Sequence, residues 1–185
     1  MMDLLRSAVT GQHPLSTWED LEKAEYVAAL SFGHRIEAGR SVPGPINQEL
    51  ARRAVGLSGM LDDIPVIAQQ EITDAIEAES SFKVARTIDA HREAGKYLDT
   101  SEYLEQAAGY VDELGLAANG IVVAHAFHVS RVVAQASKVG LDLVLAGSLP
   151  KGFDPESEQW WTRRRSLWIT REVPAILAFK LKGKI

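Results

Sequence analysis

Apolar and polar positions along this chain alternate between two rhythms. Tyr26 to Phe32 is an almost unbroken apolar run that ends at Gly33, the pattern of a strand covered on both faces. Gly39, Pro43, Gly44 and Pro45 then mark a loop. With Asn47 as its N-cap, the helical spacing of Ile46, Leu50, Ala54, Leu57 and Leu61 predicts an amphipathic helix over 47–61. The turn pair Asp62–Asp63 leads into a second strand, 64–68, followed by a short helix over 71–79 and a third strand over 82–88. Asp99 with Glu102 three residues later forms a helix-start box, and Tyr103, Leu104, Ala107, Val111 and Leu114 supply the stripe of a helix that stops at Gly115. The clearest strand is Gly120–Ala124, short and β-branched. Val129, Val132, Val133, Ala136 and Val139 then outline a helix closed by Gly140, and 141–145 reads as another strand. Finally, Asp154-Pro155-Glu156 has the form of an N-cap, a proline at the first helical position and an acid in the first turn. It predicts a long C-terminal helix, kinked or broken at Pro174.

Strands that alternate with helices make a mainly parallel sheet. The expected fold is α/β: a single three-layer, Rossmann-like domain over 1–185 with an open sheet and a long C-terminal helix. No linker, repeat or low-complexity tract divides the chain, and 46% hydrophobic residues suffice for a sizeable core.

Composition removes several function classes. Lys and Arg number 20 against 25 Asp and Glu, a net charge of -5, which argues against nucleic acid as a partner. Cysteine is absent, so thiolate nucleophiles, disulfides and iron–sulfur clusters are excluded. The apolar patch in Met1–Thr10 is short and interrupted by Asp3 and Arg6, and no run approaches the roughly 20 apolar residues of a membrane helix. A cytoplasmic protein with no membrane partner is expected. No Gly-x-Gly-x-x-Gly follows the first strand, no P-loop lysine motif occurs, and Ser130 is not in a Gly-x-Ser-x-Gly elbow.

In an open parallel sheet, ligands sit beyond the carboxyl ends of the strands. The clearest strand runs into His125, His128, Ser130 and Arg131. Arg131 is suited to clamping a phosphate or carboxylate, and a histidine to exchanging a proton near neutral pH. The plainer alternative pairs Arg131 with an acid on a neighbouring helix and leaves one histidine as a cap. A metal is not expected, because His-x-x-His in a turn lacks the spacing of a helical zinc motif and further ligands would have to come from afar. Thr100, Glu102, Glu71 and Asn47 lie near other strand ends or helix starts and complete the candidate ligand contacts. The acids Glu71 and Glu102 would orient a histidine or accept a sugar hydroxyl, or else serve only as helix starts.

Between Asp154 and Trp168 the chain concentrates Trp160, Trp161, Trp168 and the run Arg163–Arg165. The plain reading is a core-packing helix with solvated arginines. The functional one has Trp161 and Arg163 walling a ligand cleft through stacking or cation–π contact.

The Thr100-x-Glu102 helix start, the turn from Val122 to Arg131, the stretch from Asp154 to Arg163 and the closing Arg171-Glu172 and Lys182-Gly183 resemble the DUF218 (YdcF-like) family. The resemblance spans 27–185 and centres on His128 and Arg131. It implies a Rossmann-like domain, an uncharacterised activity and, in some members, an envelope role or a nucleotide-like cofactor such as S-adenosylmethionine. Thr100, Glu102, His128 and Arg131 carry over by position. The glycine-rich turns of the family do not, since Ser31-Phe32-Gly33 and Gln69-Gln70-Glu71 stand in their places. An envelope role is not transferred, for want of a membrane span.

The leading expectation is a protein that binds a small anionic or nucleotide-like ligand. In it Arg131 holds the charge, His128 acts as hydrogen-bond partner or general acid/base, and Glu102 orients His128. The alternatives are a hydrolase or transferase acting on a phosphorylated substrate, and a non-catalytic interaction protein docking through the Trp160–Trp168 segment.

Overall fold

The computed structural model describes residues 2–91, 98–183 and 185. Two helices the pattern did not announce come first, α1 (Met2–Thr10) and α2 (Trp18–Glu22), the latter closed by a reciprocal capping box between Thr17 and Asp20. Strand β1 (Val27–Ala29) follows, then a hairpin of β2 (Arg35–Glu37) and β3 (Arg40–Val42), α3 (Pro45–Met60), β4 (Val66–Gln69), α4 (Gln70–Glu79) and β5 (Arg86–Ile88). The second half holds α5 (Thr100–Glu113), β6 (Asn119–Val123), α6 (Val129–Ala136), β7 (Asp142–Leu145), a 3-10 turn at Trp160–Thr162 and α7 (Arg165–Leu181).

Five strands form one parallel sheet in the order β5-β4-β1-β6-β7. This is an α/β, Rossmann-like architecture. The chain moves outward from β1 to β5, then returns to lay β6 against the other side of β1. Helices α3 and α4 pack together, as do α5 and α6. Because parallel crossovers are right-handed and the direction of travel reverses, the two pairs cover opposite faces. Val27–Ala29 and Ile121–Val123 have no exposed surface, as their unbroken apolar runs require. Ligand sites in such sheets form where the strand order reverses, here at the carboxyl ends of β1 and β6.

Three expectations are corrected. Asn47 is not an N-cap: α3 begins two residues earlier, with Pro45 at its first position and Gly44 as cap. Asn47 is instead fully buried, accepting from the Phe32 N–H at 2.8 Å and donating to the Gly33 carbonyl at 2.7 Å. Nor does Asp154-Pro155-Glu156 open the last helix. Arg35 grips both carboxylate oxygens of Asp154 at 2.7 Å, which holds it in a turn, and α7 starts only at Arg165. Pro174 lies inside α7 without interrupting it. Proline removes one N–H, while the apolar burial of Trp168 and Ile176 on either side favours continuing the helix.

Among the described residues no helix is long and apolar enough to cross a membrane.

Candidate functional site

A cleft of about 130 Å³ opens at the carboxyl edge of the sheet. The chain after β1, Gln69 at the end of β4, and the first residues of α5 and α6 form its floor. The 3-10 turn and α7 roof it over, with Trp161, Trp168, Arg171 and Phe179 facing in.

Local capping explains how the floor is held. Asp99 accepts from the Glu102 N–H at 2.9 Å and the Glu102 carboxylate accepts from the Asp99 N–H at 3.0 Å, the box read from the sequence. Glu102 is therefore engaged in starting α5, and the residue held against His128 is Thr100, whose Oγ1 lies 3.1 Å from His128 Nε2.

Arg131 takes the plainer of its two expected roles. Buried to 5% exposure, it forms a two-point ion pair with Glu172 of α7, its Nε donating to Oε1 at 2.6 Å and Nη2 to Oε2 at 3.2 Å. Its Nη1 donates to Thr100 Oγ1 at 3.1 Å and to Gln135 Oε1 at 3.2 Å. The guanidinium thus ties α5, α6 and α7 together, and its charge is matched inside the protein.

The two histidines of the turn separate. His125 is wholly buried and stacks on Phe32 with ring centroids 3.6 Å apart. Its Nε2 donates to the Gly152 carbonyl at 2.7 Å. Burial lowers its pKa to about 4, so it is a neutral core residue away from the cleft. His128 lines the cleft at 7% exposure. Burial first, then the charges of Arg131 and Arg171, hold its pKa well below the ordinary histidine value. A neutral imidazole carries one proton, and the network indicates where. Thr100 Oγ1 accepts from Arg131 and keeps its own proton, which it can donate to His128 Nε2; in that arrangement the ring proton sits on Nδ1. That Nδ1 has no protein partner.

Ser130 turns the other way, 2.9 Å from His13 Nδ1, while His13 Nε2 donates to the Ala126 carbonyl. Glu71 sits in the first turn of α4 and does not line the cleft. Asn47 does not line it either, but its two bonds shape the Phe32–Gly33 backbone that does.

Three cleft residues lie outside the candidate set. Gln159 is 6% exposed and its Nε2, like His128 Nδ1, has no protein partner. Arg171 lies over the Trp161 ring, 4.6 Å from its centroid, with Nη1 4.0 Å from the Glu172 carboxylate. Gln69 Oε1 accepts from the Ser31 N–H at 3.0 Å. Trp161 does wall the cleft, but the cation beside it is Arg171, since Arg163 Nε donates to the Ser157 carbonyl at 2.6 Å. The tryptophans also divide between two elements, with Trp168 buried and Trp160 49% exposed, so they form no single docking face. Among the described residues no group of three or more acids and histidines is placed to hold a metal.

The chain matches no protein-family model, no curated protein and no solved structure.

Proposed function

We propose that this protein binds a small molecule bearing an anionic, acceptor-rich group in the cleft between the ends of β1 and β6. One observation carries the proposal: His128 Nδ1 and Gln159 Nε2 are buried polar atoms without protein partners, and both residues line that cleft. A buried donor left unsatisfied costs about 1–3 kcal/mol, so two in one crevice point to a partner supplied from outside the chain. Both are donors in the arrangement above, and they call for acceptor oxygens.

The roles follow from position. His128 and Gln159 donate, and Arg171 contributes positive charge. Arg131 acts at one remove by holding Thr100, which in turn presents the imidazole. Thr100, His128 and Arg131, three of the four positions that carry the DUF218-like resemblance, form one hydrogen-bonded chain, which supports a shared use of these residues. A nucleotide-like ligand such as S-adenosylmethionine would place only one end in a space this size. Binding is favoured over proton transfer in a hydrolase or transferase, because burial holds the His128 pKa well below the ordinary histidine value and so makes it a weak base.

The test is a thermal-shift titration with S-adenosylmethionine, adenosine monophosphate and short monocarboxylates. A ligand at ten times its Kd should add about 1.4 kcal/mol, or a rise of roughly 3–6 °C in Tm. The rise should vanish in His128→Phe and Gln159→Met. No rise with any compound, or equal rises in both variants, would refute the proposal.

A further inference from the structure

Apart from the cleft, we infer that Ser130 and His13 form a second site, a nucleophile and its base, that transfers acyl groups from small esters. The loop between α1 and α2 brings His13 against the start of α6. Gly11, at φ +61°, lies so close that an added Cβ would sit 3.2 Å from Phe127 Cε2. From this loop His13 gives one ring nitrogen to each of two partners. Nε2 donates to the Ala126 carbonyl, which fixes the tautomer, and Nδ1 keeps a lone pair 2.9 Å from Ser130 Oγ. A hydroxyl bonded to an imidazole whose other nitrogen is oriented by a third group is how a serine is activated.

The helix start supplies the other half of the site. Ser130 is the second residue of α6, whose N-cap residue, His128, makes no side-chain cap. The N–H groups of His128 and Val129 go to the His125 carbonyl, and those of Arg131 and Val132 to the His128 carbonyl. The carbonyl four residues before Ser130 is that of Ala126, which accepts instead from His13. Among the described residues the Ser130 N–H makes no hydrogen bond. An unpaired N–H on the nucleophile itself, at the positive end of a helix, suits the oxyanion that forms when Oγ adds to a carbonyl.

Access and protonation agree with this use. Ser130 and His13 are both partly exposed, and His13 lines a cavity of about 460 Å³ with Arg6, Gln12 and Pro14. Burial lowers the His13 pKa, the Ala126 bond opposes that effect and Lys151 adds to it, so the ring is a free base at pH 7. In the reaction Ser130 Oγ adds to the ester carbonyl carbon while its proton passes to His13 Nδ1. The alcohol leaves with that proton as its C–O bond breaks. Water, deprotonated by the same nitrogen, then hydrolyses the acyl-serine to a carboxylic acid and free Ser130.

The experiment treats the full chain with an alkyl fluorophosphonate, which exchanges its fluoride for an activated serine oxygen, and locates the adduct by mass spectrometry. A single adduct on Ser130 is expected. Hydrolysis of p-nitrophenyl acetate is followed in parallel, and Ser130→Ala should bring it to the buffer rate. His13→Gln should slow both reactions by at least about 100-fold, while Ser137→Ala, at an exposed serine, should leave them within about twofold. An unlabelled wild-type chain, an adduct on another serine, or ester hydrolysis unchanged in Ser130→Ala would overturn the inference. So would labelling of His13→Gln at the wild-type rate. The wild-type adduct is read directly, so the test does not depend on either variant folding.

Discussion

At the residue scale, a side chain kept for a ligand and one kept for the fold respond oppositely to substitution. Gln159→Met removes a buried donor that no protein atom satisfies, so the ligand-free protein should gain about 1 kcal/mol, read as a rise of about 2–4 °C in Tm by calorimetry. A clear loss would mean that Gln159 serves the fold. Arg131→Met should do the reverse and cost about 3 kcal/mol in urea unfolding, because it leaves the fully buried Glu172 carboxylate with only the 4.0 Å approach of Arg171 for a cation. Adding Glu172→Leu should restore much of that loss, whereas no recovery would show that the pair stabilises by more than mutual neutralisation. Thr100, His128 and Arg131 were legible because they flank the most regular strand and helix starts. The fate of Arg131 was not, since Glu172 lies 41 positions away on a helix whose start was misplaced. Gln159 falls in the stretch that carries the family resemblance, but its unpartnered amide is not legible there, because the packing of segments distant in sequence decides it.

At the element scale, boundaries marked by their own residues were read well, and those decided by tertiary partners were not. The Asp99–Glu102 box and the helix ends at Gly115 and Gly140 involve neighbours only, so spacing was enough to find them. Asp154 looked equally like a cap, but Arg35, drawn in by the β2–β3 hairpin, claims its carboxylate. Helix α1 escapes the pattern because its apolar stretch is short and interrupted by Asp3 and Arg6, and its packing partners, α6 and α7, lie far along the chain. Gly33 shows the same dependence. At φ +74° it sits where an added Cβ would lie 2.5 Å from Thr162 Oγ1 and 2.6 Å from Ser157 Oγ, a constraint imposed by the distant 3-10 turn. Gly33→Ala should therefore destabilise the protein by at least about 1 kcal/mol through strain and overpacking. A denaturation midpoint unchanged from the wild type would contradict that packing.

At the scale of the whole molecule, buried neutral histidines couple stability to pH. His125, with an ordinary value of 6.5 lowered to about 4 by burial, is protonated in the unfolded chain before it is protonated in the folded one. Its contribution is complete above pH 6.5 and is lost as pH falls toward 4, amounting to about 3 kcal/mol. His128 and His13, also lowered chiefly by burial, act in the same direction. Asp154, held low by its hydrogen bonds from Arg35, extends the loss to more acid pH. Urea unfolding at pH 7 and pH 4.5 should show the decline, with a shallower slope in His125→Phe. An equal slope in that variant would place the proton uptake elsewhere.

The binding reading turns on His128 presenting an Nδ1–H into the cleft for an outside acceptor. Nitrogen-15 NMR of the histidine side chains at pH 7, with and without n-butyrate, tests it most directly. We expect His128 to be neutral, protonated on Nδ1 and not on Nε2, with its Nδ1 resonance displaced when butyrate is added. A His128 protonated on Nε2, or an Nδ1 signal indifferent to butyrate, would contradict it.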